Sequence, residues 1–423
     1  MSETKLSAVA ATPQNRPKQE IWNIFFILLF LESLFMGTMT SAFNSANALH
    51  VAYLNGTATQ RALMISALPC AALLTRLCIG RVVETHSRRT LIAVGLSIMA
   101  LMTAGFLLSS DLNVLIAFRF GQGIGMSIAQ TTSSVACTDI VSRPRLGEGL
   151  GYYALTNFFN QAIMPSVTVH FTDRNDFNGL YTLSLVALLV GIVCILLCRY
   201  EKKYPHLVAP PTTRASLLDD PGSGYDPDKP ITRLWMIFEK RAVPCTLIAM
   251  FSTLGGSVIT NYLLLYAKAI SVARAGLFFT LQAFSMFVTR LLTAKLVDRH
   301  GSFKVYVPGV ALAAGAFVCL SLCERVPALY YVAGPLYGMA TGLITPALNA
   351  AAVRSCPEAR RSIASSTYML SSDVAMGVGG FICSFLISLW GYGAMFGFSF
   401  VCYALSMTLA IRFFCFKMRG TRI

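Results

Sequence analysis

The chain has 423 residues, of which 55% are hydrophobic and only 13% charged. Soluble domains carry about 25% charged residues, so this balance, with a mean hydropathy of +0.62, excludes an ordinary water-soluble enzyme. The formal net charge of +15 excludes little until its distribution is read, because nucleic-acid binding and membrane topology both enrich Lys and Arg.

In chain order, residues 1–20 are a polar tail without the apolar core or cleavage site of a signal peptide. Apolar runs follow at 22–47, 61–82, 90–109, 112–138, 149–171 and 178–199, and then at 243–267, 272–296, 304–323, 327–353, 362–389 and 392–416. A helix of about 20 apolar residues crosses a lipid core of roughly 30 Å. The runs therefore predict an all-α integral membrane protein of twelve transmembrane helices. Between the sixth and seventh runs lies a polar connector, 201–241, rich in Pro, Gly and Asp. It reads as a linker between two six-helix bundles, 21–200 and 242–417, with 418–423 as a short tail. Of the 34 basic residues, only Arg61, Arg174, Lys268, Arg274 and Arg325 fall in outer connections. The others gather on alternate connections, as cytoplasmic loops do. Both termini and the connector are expected in the cytoplasm, and no nucleic-acid partner is expected.

The two halves repeat. Thr75-Arg76-Leu77 recurs as Thr289-Arg290-Leu291, and at the same offset of 214 Arg81 meets Lys295, Val83 meets Val297, Glu84 meets Asp298 and His86 meets His300. Internal repeats of this kind mark secondary transporters, in which two similar bundles rock about a central site.

With two such halves, the sequence resembles the major facilitator superfamily over nearly its whole length. That family's Gly-x-x-x-Asp-Arg-x-Gly-Arg-Arg/Lys stretch corresponds here to Gly80-Arg81-Val82-Val83-Glu84-Thr85-His86-Ser87-Arg88-Arg89. The second copy keeps Asp298-Arg299-His300-Gly301. The resemblance implies a gating role for Gly80, Glu84, Arg88, Arg89, Asp298 and Arg299. Glu84 would latch onto free amides at a neighbouring helix start, with Arg88 and Arg89 near lipid phosphates or acidic partners. Arg119-Phe120-Gly121-Gln122-Gly123-Ile124-Gly125 resembles the family's Arg-x-x-Gln-Gly-x-Gly stretch. Ala162-Ile163-Met164-Pro165 departs from the Gly-Pro ending of its proton-coupled exporters, with Met164 in place of the glycine.

Three charges lie deep in the apolar runs, namely Glu32, Arg119 and Asp373. Charge inside a membrane span is costly and marks a pathway or proton relay by default. All three are expected near the bilayer midplane as proton-coupling residues, with Glu32 and Arg119 as a pair that switches; a static structural ion pair is the other reading. Polar stripes at helical spacing add Asn44 and Gln130, then Asn157 and Gln161, and in the second half Tyr262, Tyr266 and Asn349, as candidate lining of a substrate cavity. The tyrosines also suit interface anchoring.

The twelve cysteines read as packing residues, and the five histidines, at run ends or loops, as surface residues. No metal or organic cofactor is expected. The function these readings imply is proton-coupled efflux of a small organic solute by alternating access. A proton-coupled uptake symporter, or a non-transporting receptor on the same fold, is the alternative; an enzyme is not expected. The expected partners are solute, protons and lipid, and the expected setting is a monomer in a bacterial inner membrane.

Overall fold

A computed structural model describes residues 22–141, 145–203, 239–356 and 361–418. The tails and nearly all of the 201–241 connector lie outside the described residues. The first half comprises α1 (Ile24–Tyr53), α2 (Ala58–Thr85), α3 (Arg88–Leu108), α4 (Leu112–Ile140), α5 (Leu146–Thr172) and α6 (Phe177–Leu197), followed by the single turn α7 (Tyr200–Lys203). The second half comprises α8 (Val243–Ala269), α9 (Leu277–His300), α10 (Ser302–Ser321), α11 (Leu329–Arg354) and α12 (Arg361–Met418).

Short polar side chains set the helix starts by accepting from free amides. Asn23 accepts from Phe26 N at 2.9 Å, Thr57 and Gln60 form a reciprocal box, and Asp111 and Asp176 cap α4 and α6. The helices outrun the apolar runs, because the runs end at the first polar residues whereas the backbone continues to its next cap. Thus α1 extends to Tyr53, which carries His50 into the protein. The expected surface position of His50 is corrected: it is 7% exposed, with Nδ1 2.6 Å from the Tyr181 hydroxyl.

Eight stretches among the described residues are long and apolar enough to cross a membrane, rather than the expected twelve. Two effects account for the difference. Thr367–Phe414 counts as one stretch of 48 residues, although Gly391, at φ 75°, ψ −171°, breaks α12 into two segments; the positive φ is one that glycine adopts freely. The second effect is polarity, which removes three more: α2 carries Arg61, Arg76, Arg81 and Glu84, α5 carries Glu148, Asn157, Asn160, Gln161 and His170, and α9 carries Arg290, Lys295, Asp298 and Arg299.

Within the first bundle α1 packs on α5 and α6, α3 on α4 and α6, and α2 on α4. In the second, α8 packs on α12, α9 on α11, and α10 on α11 and α12. Each bundle has its own aromatic core, Phe43, Phe106 and Tyr181 in one and Tyr266, Phe317, Phe396 and Tyr403 in the other. Among the described residues the bundles join mainly through α2 with α12, α5 with α9, and α1 with α8. The offset of 214 that relates the sequence repeats carries α2 onto α9 and α5 onto the first segment of α12. One helix pairing therefore occurs twice, about a pseudo-twofold axis.

Glycines on α4 bring three helices together. A Cβ at Gly123 would lie 2.3 Å from the Leu68 carbonyl oxygen of α2, and one at Gly125 2.5 Å from the Gly95 oxygen of α3. Gly123→Ala should therefore force the backbones of α2 and α4 apart and cost about 1–3 kcal/mol. This would be read as a lower thermal midpoint of the detergent-purified protein. Gly151→Ala, where nothing lies within 4 Å, is the matched control and should change little.

Candidate functional site

Glu32 is wholly buried on α1. One carboxyl oxygen accepts from Ser133 Oγ of α4 at 2.9 Å, and the other has no hydrogen-bond partner. Next to it the Ser33 and Thr156 hydroxyls lie 3.2 Å apart, and the Tyr153 hydroxyl is enclosed without a well-formed hydrogen bond. The pocket is thus ringed by hydroxyls from α1, α4 and α5, with no cation in ion-pair contact among the described residues.

Arg119, 1% exposed, belongs to a different network. It donates to Asn44 Oδ1 at 2.6 Å and to Gln122 Oε1 at 2.9 Å, and lies 5.3 Å from the centroid of the Phe43 ring. Gln122 passes the network on to Thr103 at 3.0 Å. The expected Glu32–Arg119 pair therefore does not form. Because α1 meets α4 at Glu32–Ser133 and again at Asn44–Arg119, the helices run antiparallel. Twelve residues of α1 separate the two meeting points, about 18 Å of helix rise. The apolar runs had placed both charges at one depth; they understated the helix lengths.

Asp373 finds the cation instead. Its carboxylate lies 2.7 Å from Arg76 Nη1, with the two side chains 14% and 19% exposed. Arg76 also donates to Gln130 Oε1 at 3.1 Å. This ion pair crosses from α2 of one bundle to α12 of the other. Further cross-bundle bonds lie towards the end of the molecule where α1 finishes. Ser66 donates to Gly377 O at 2.7 Å and Ser384 to Ala58 O at 2.8 Å. Thr280 donates to Ala162 O at 3.0 Å and Lys268 to Thr172 O at 3.3 Å.

The other expected cavity residues divide. Asn44 and Gln130 hold the two arginines, whereas Asn157 and Gln161 are exposed on α5. Between those two lies Asn160, 3% exposed, which donates to Leu34 O at 3.0 Å and accepts from Thr38 Oγ1 at 3.1 Å. Reading the stripe one residue away from this face missed it. Tyr262 and Tyr266 are buried, with hydroxyls donating to the backbone carbonyls of Gly380 and Leu320. Asn349 keeps a buried Oδ1 without a partner.

A sequence profile described as Major Facilitator Superfamily matches residues 25–269 and 245–421. The chain belongs to that superfamily. It is therefore a member of a family of membrane-embedded transporters with small-molecule substrates, and not of an enzyme family. An uncharacterised transporter of this type from Burkholderia pseudomallei is 30% identical over 156 residues, a match taking in 37% of this chain but only 38% of the relative's length. The staphylopine export protein of Staphylococcus aureus is 20% identical over 282 residues, 66% of this chain and 68% of that protein. Among solved structures, a POT family transporter in complex with a thioalcohol-conjugated peptide superimposes with a TM-score of 0.74 at 14% identity, over 94% of this chain and 96% of that one. A point mutant of the nucleoside transporter NupG gives 0.69 at 13% identity, over 93% and 99%.

The superfamily stretch at residues 80–89 forms helix ends more than loop. Gly80 and Glu84 fall in the last two turns of α2, Ser87 caps α3, and Arg88 begins it. The side chains of Glu84 and Asp298 are outside the described residues, and Arg299 is exposed. An acid does sit on a helix start here, but it is Glu201 of α7: its carboxylate accepts from Ser87 Oγ and from the amides of Arg88 and Arg89, the last at 3.3 Å. Arg88 lies 3.5 Å from Asp139 at the end of α4. Arg89 donates to the Ile195 and Leu196 carbonyls that end α6. Tyr200 donates to Asp139 at 3.4 Å, and burial pushes its phenol above the usual range, which keeps it a donor. Glu201, the one acid in a run of basic residues just past α6, was the signal available in sequence. Glu201→Ala should expose the α3 amides and lower stability by about 1 kcal/mol, seen as a fall of a few degrees in the thermal midpoint. An unchanged midpoint would show that water caps α3 equally well.

Proposed function

We propose that the chain is a secondary active transporter that exports a small organic solute by alternating access, driven by protons. Glu32 carries the reading: a fully enclosed carboxyl with a hydroxyl donor on one oxygen and none on the other. An acid so placed changes its hold on a proton whenever motion between α1, α4 and α5 admits water or a cation. Protonation and solute binding are then linked, each altering the other's free energy by the same amount. Asp373 is the second proton carrier, because separating the bundles releases it from Arg76. The relative named as an exporter supports the outward direction. Met164, in place of the glycine found in proton-coupled exporters, favours the alternative of proton-coupled uptake. The proposed setting is a monomer in a bacterial inner membrane with both termini cytoplasmic, following the alternation of Lys and Arg between loops.

The test is counterflow in proteoliposomes against a metabolite and drug panel, repeated with an imposed pH gradient. Glu32→Gln should keep solute exchange but lose gradient-driven accumulation. Wild-type accumulation with unchanged pH dependence would remove Glu32 from the coupling. Asp373→Asn in the same assay would then decide whether coupling moves there or is abandoned.

A further inference from the structure

Arg290 lies on α9 ten residues before its end at His300, about 15 Å of helix rise. At 100° per residue it shares a face with Phe279, Ala283, Met286, Thr293 and Val297, all buried. Arg290 on that same face is exposed. The lipid side of α9 lies elsewhere, with Phe284 63% and Leu291 62% exposed. Arg290 therefore opens onto space inside the molecule, as the cost of presenting a guanidinium to lipid demands. No hydrogen bond or ion pair reaches it among the described residues.

Its repeat mate is Arg76, nine residues before the end of α2 at Thr85, about 14 Å by the same measure. The two arginines thus lie at matching depths on pseudo-equivalent helices. Arg76 is neutralised across the bundle interface by Asp373. The repeat offset carries Asp373 onto Phe159 of α5, so the second arginine has no acid in the corresponding place. The three side chains together leave one positive charge at this depth.

We propose that Arg290 is an anion-binding residue of the solute pathway and that the solute carries a carboxylate, sulfonate or phosphate group. This rests on the transporter reading above. One anionic group would neutralise this remaining charge, and the planar fork of a guanidinium matches such groups in a bidentate way. Sulfate is the probe. In detergent, at fixed ionic strength and with chloride exchanged for sulfate, the wild-type thermal midpoint should rise with a saturable dependence. Arg290→Gln should weaken that dependence at least about tenfold, and Arg290→Lys should retain part of it. Equal dependence in wild type and Arg290→Gln overturns the proposal.

A readout on wild-type protein covers the case in which the variant does not fold. Sulfate should slow phenylglyoxal modification of Arg290 more than that of the exposed Arg274, followed by peptide mass spectrometry. Equal slowing overturns the proposal. Counterflow separates it from the reading it rests on. Exchange of cationic solutes only would remove the anion site while leaving transport intact. Arg290-dependent sulfate binding without any counterflow would do the reverse.

Discussion

Asp373→Asn should reduce solute accumulation by an order of magnitude or more, because the substitution leaves Arg76 charged, largely enclosed and facing a neutral amide. Removing one partner of an enclosed ion pair costs more than the pair contributes, since the remaining charge stays desolvated. Arg76→Gln should be comparably damaging. The double variant should be less damaging than the sum of the two, by a coupling of about 1–3 kcal/mol. The charge exchange Arg76→Asp with Asp373→Arg should recover part of the activity. The measurement is accumulation in proteoliposomes, with the thermal midpoint as a check on folding. If the two single variants and the double variant all transport like wild type, the bond across the bundles is a bystander to the cycle.

The second large effect is expected at Arg119. Arg119→Met removes the donor that satisfies both Asn44 Oδ1 and Gln122 Oε1 and the cation over Phe43. The fully buried Gln122 oxygen is stranded, and the half-buried Asn44 oxygen loses its donor. The cost should be about 3–5 kcal/mol, enough to deplete the folded peak in size-exclusion chromatography of detergent extracts. Arg119→Lys should recover part of the loss, since one ammonium cannot reproduce the planar fork. A thermal midpoint unchanged in Arg119→Met would mean that the two amides find other donors.

The charged residues were legible in the sequence as exceptions inside apolar runs, and their partners were not. Glu32, Arg119 and Asp373 stand out because lipid tolerates charge poorly. Which charge meets which depends on where helices cross, and the apolar runs understated α1 by six residues at its far end. That error placed Glu32 and Arg119 at one depth. The repeat, in contrast, was fully legible, because Thr75-Arg76-Leu77 and its copy keep identity as well as polarity. That it makes one helix pairing recur emerged only with the fold. Glu201 escaped because its partners are mainly backbone amides of α3, which every residue carries and no sequence displays. Asn160 escaped for a geometric reason: one residue on a helix is 100° of rotation, enough to move from an exposed row to a buried one.

In the fastening between the bundles, Ser66, Ser384, Thr280 and Lys268 each donate to a main-chain oxygen of the opposite bundle. Point mutation can edit only one side of such a clasp. Saturation mutagenesis should show sensitivity at these four donors and tolerance at Ala58 and Ala162, so far as side-chain volume allows. Helix carbonyls engaged in their own ladder can take and shed a second donor without unravelling the helix. Three hydroxyl bonds and one from an ammonium, at about 1 kcal/mol each, make a closure that thermal motion can undo in milliseconds. Because each acceptor is a main-chain oxygen, present whatever side chain its residue carries, these bonds need no matched partner residue to re-form.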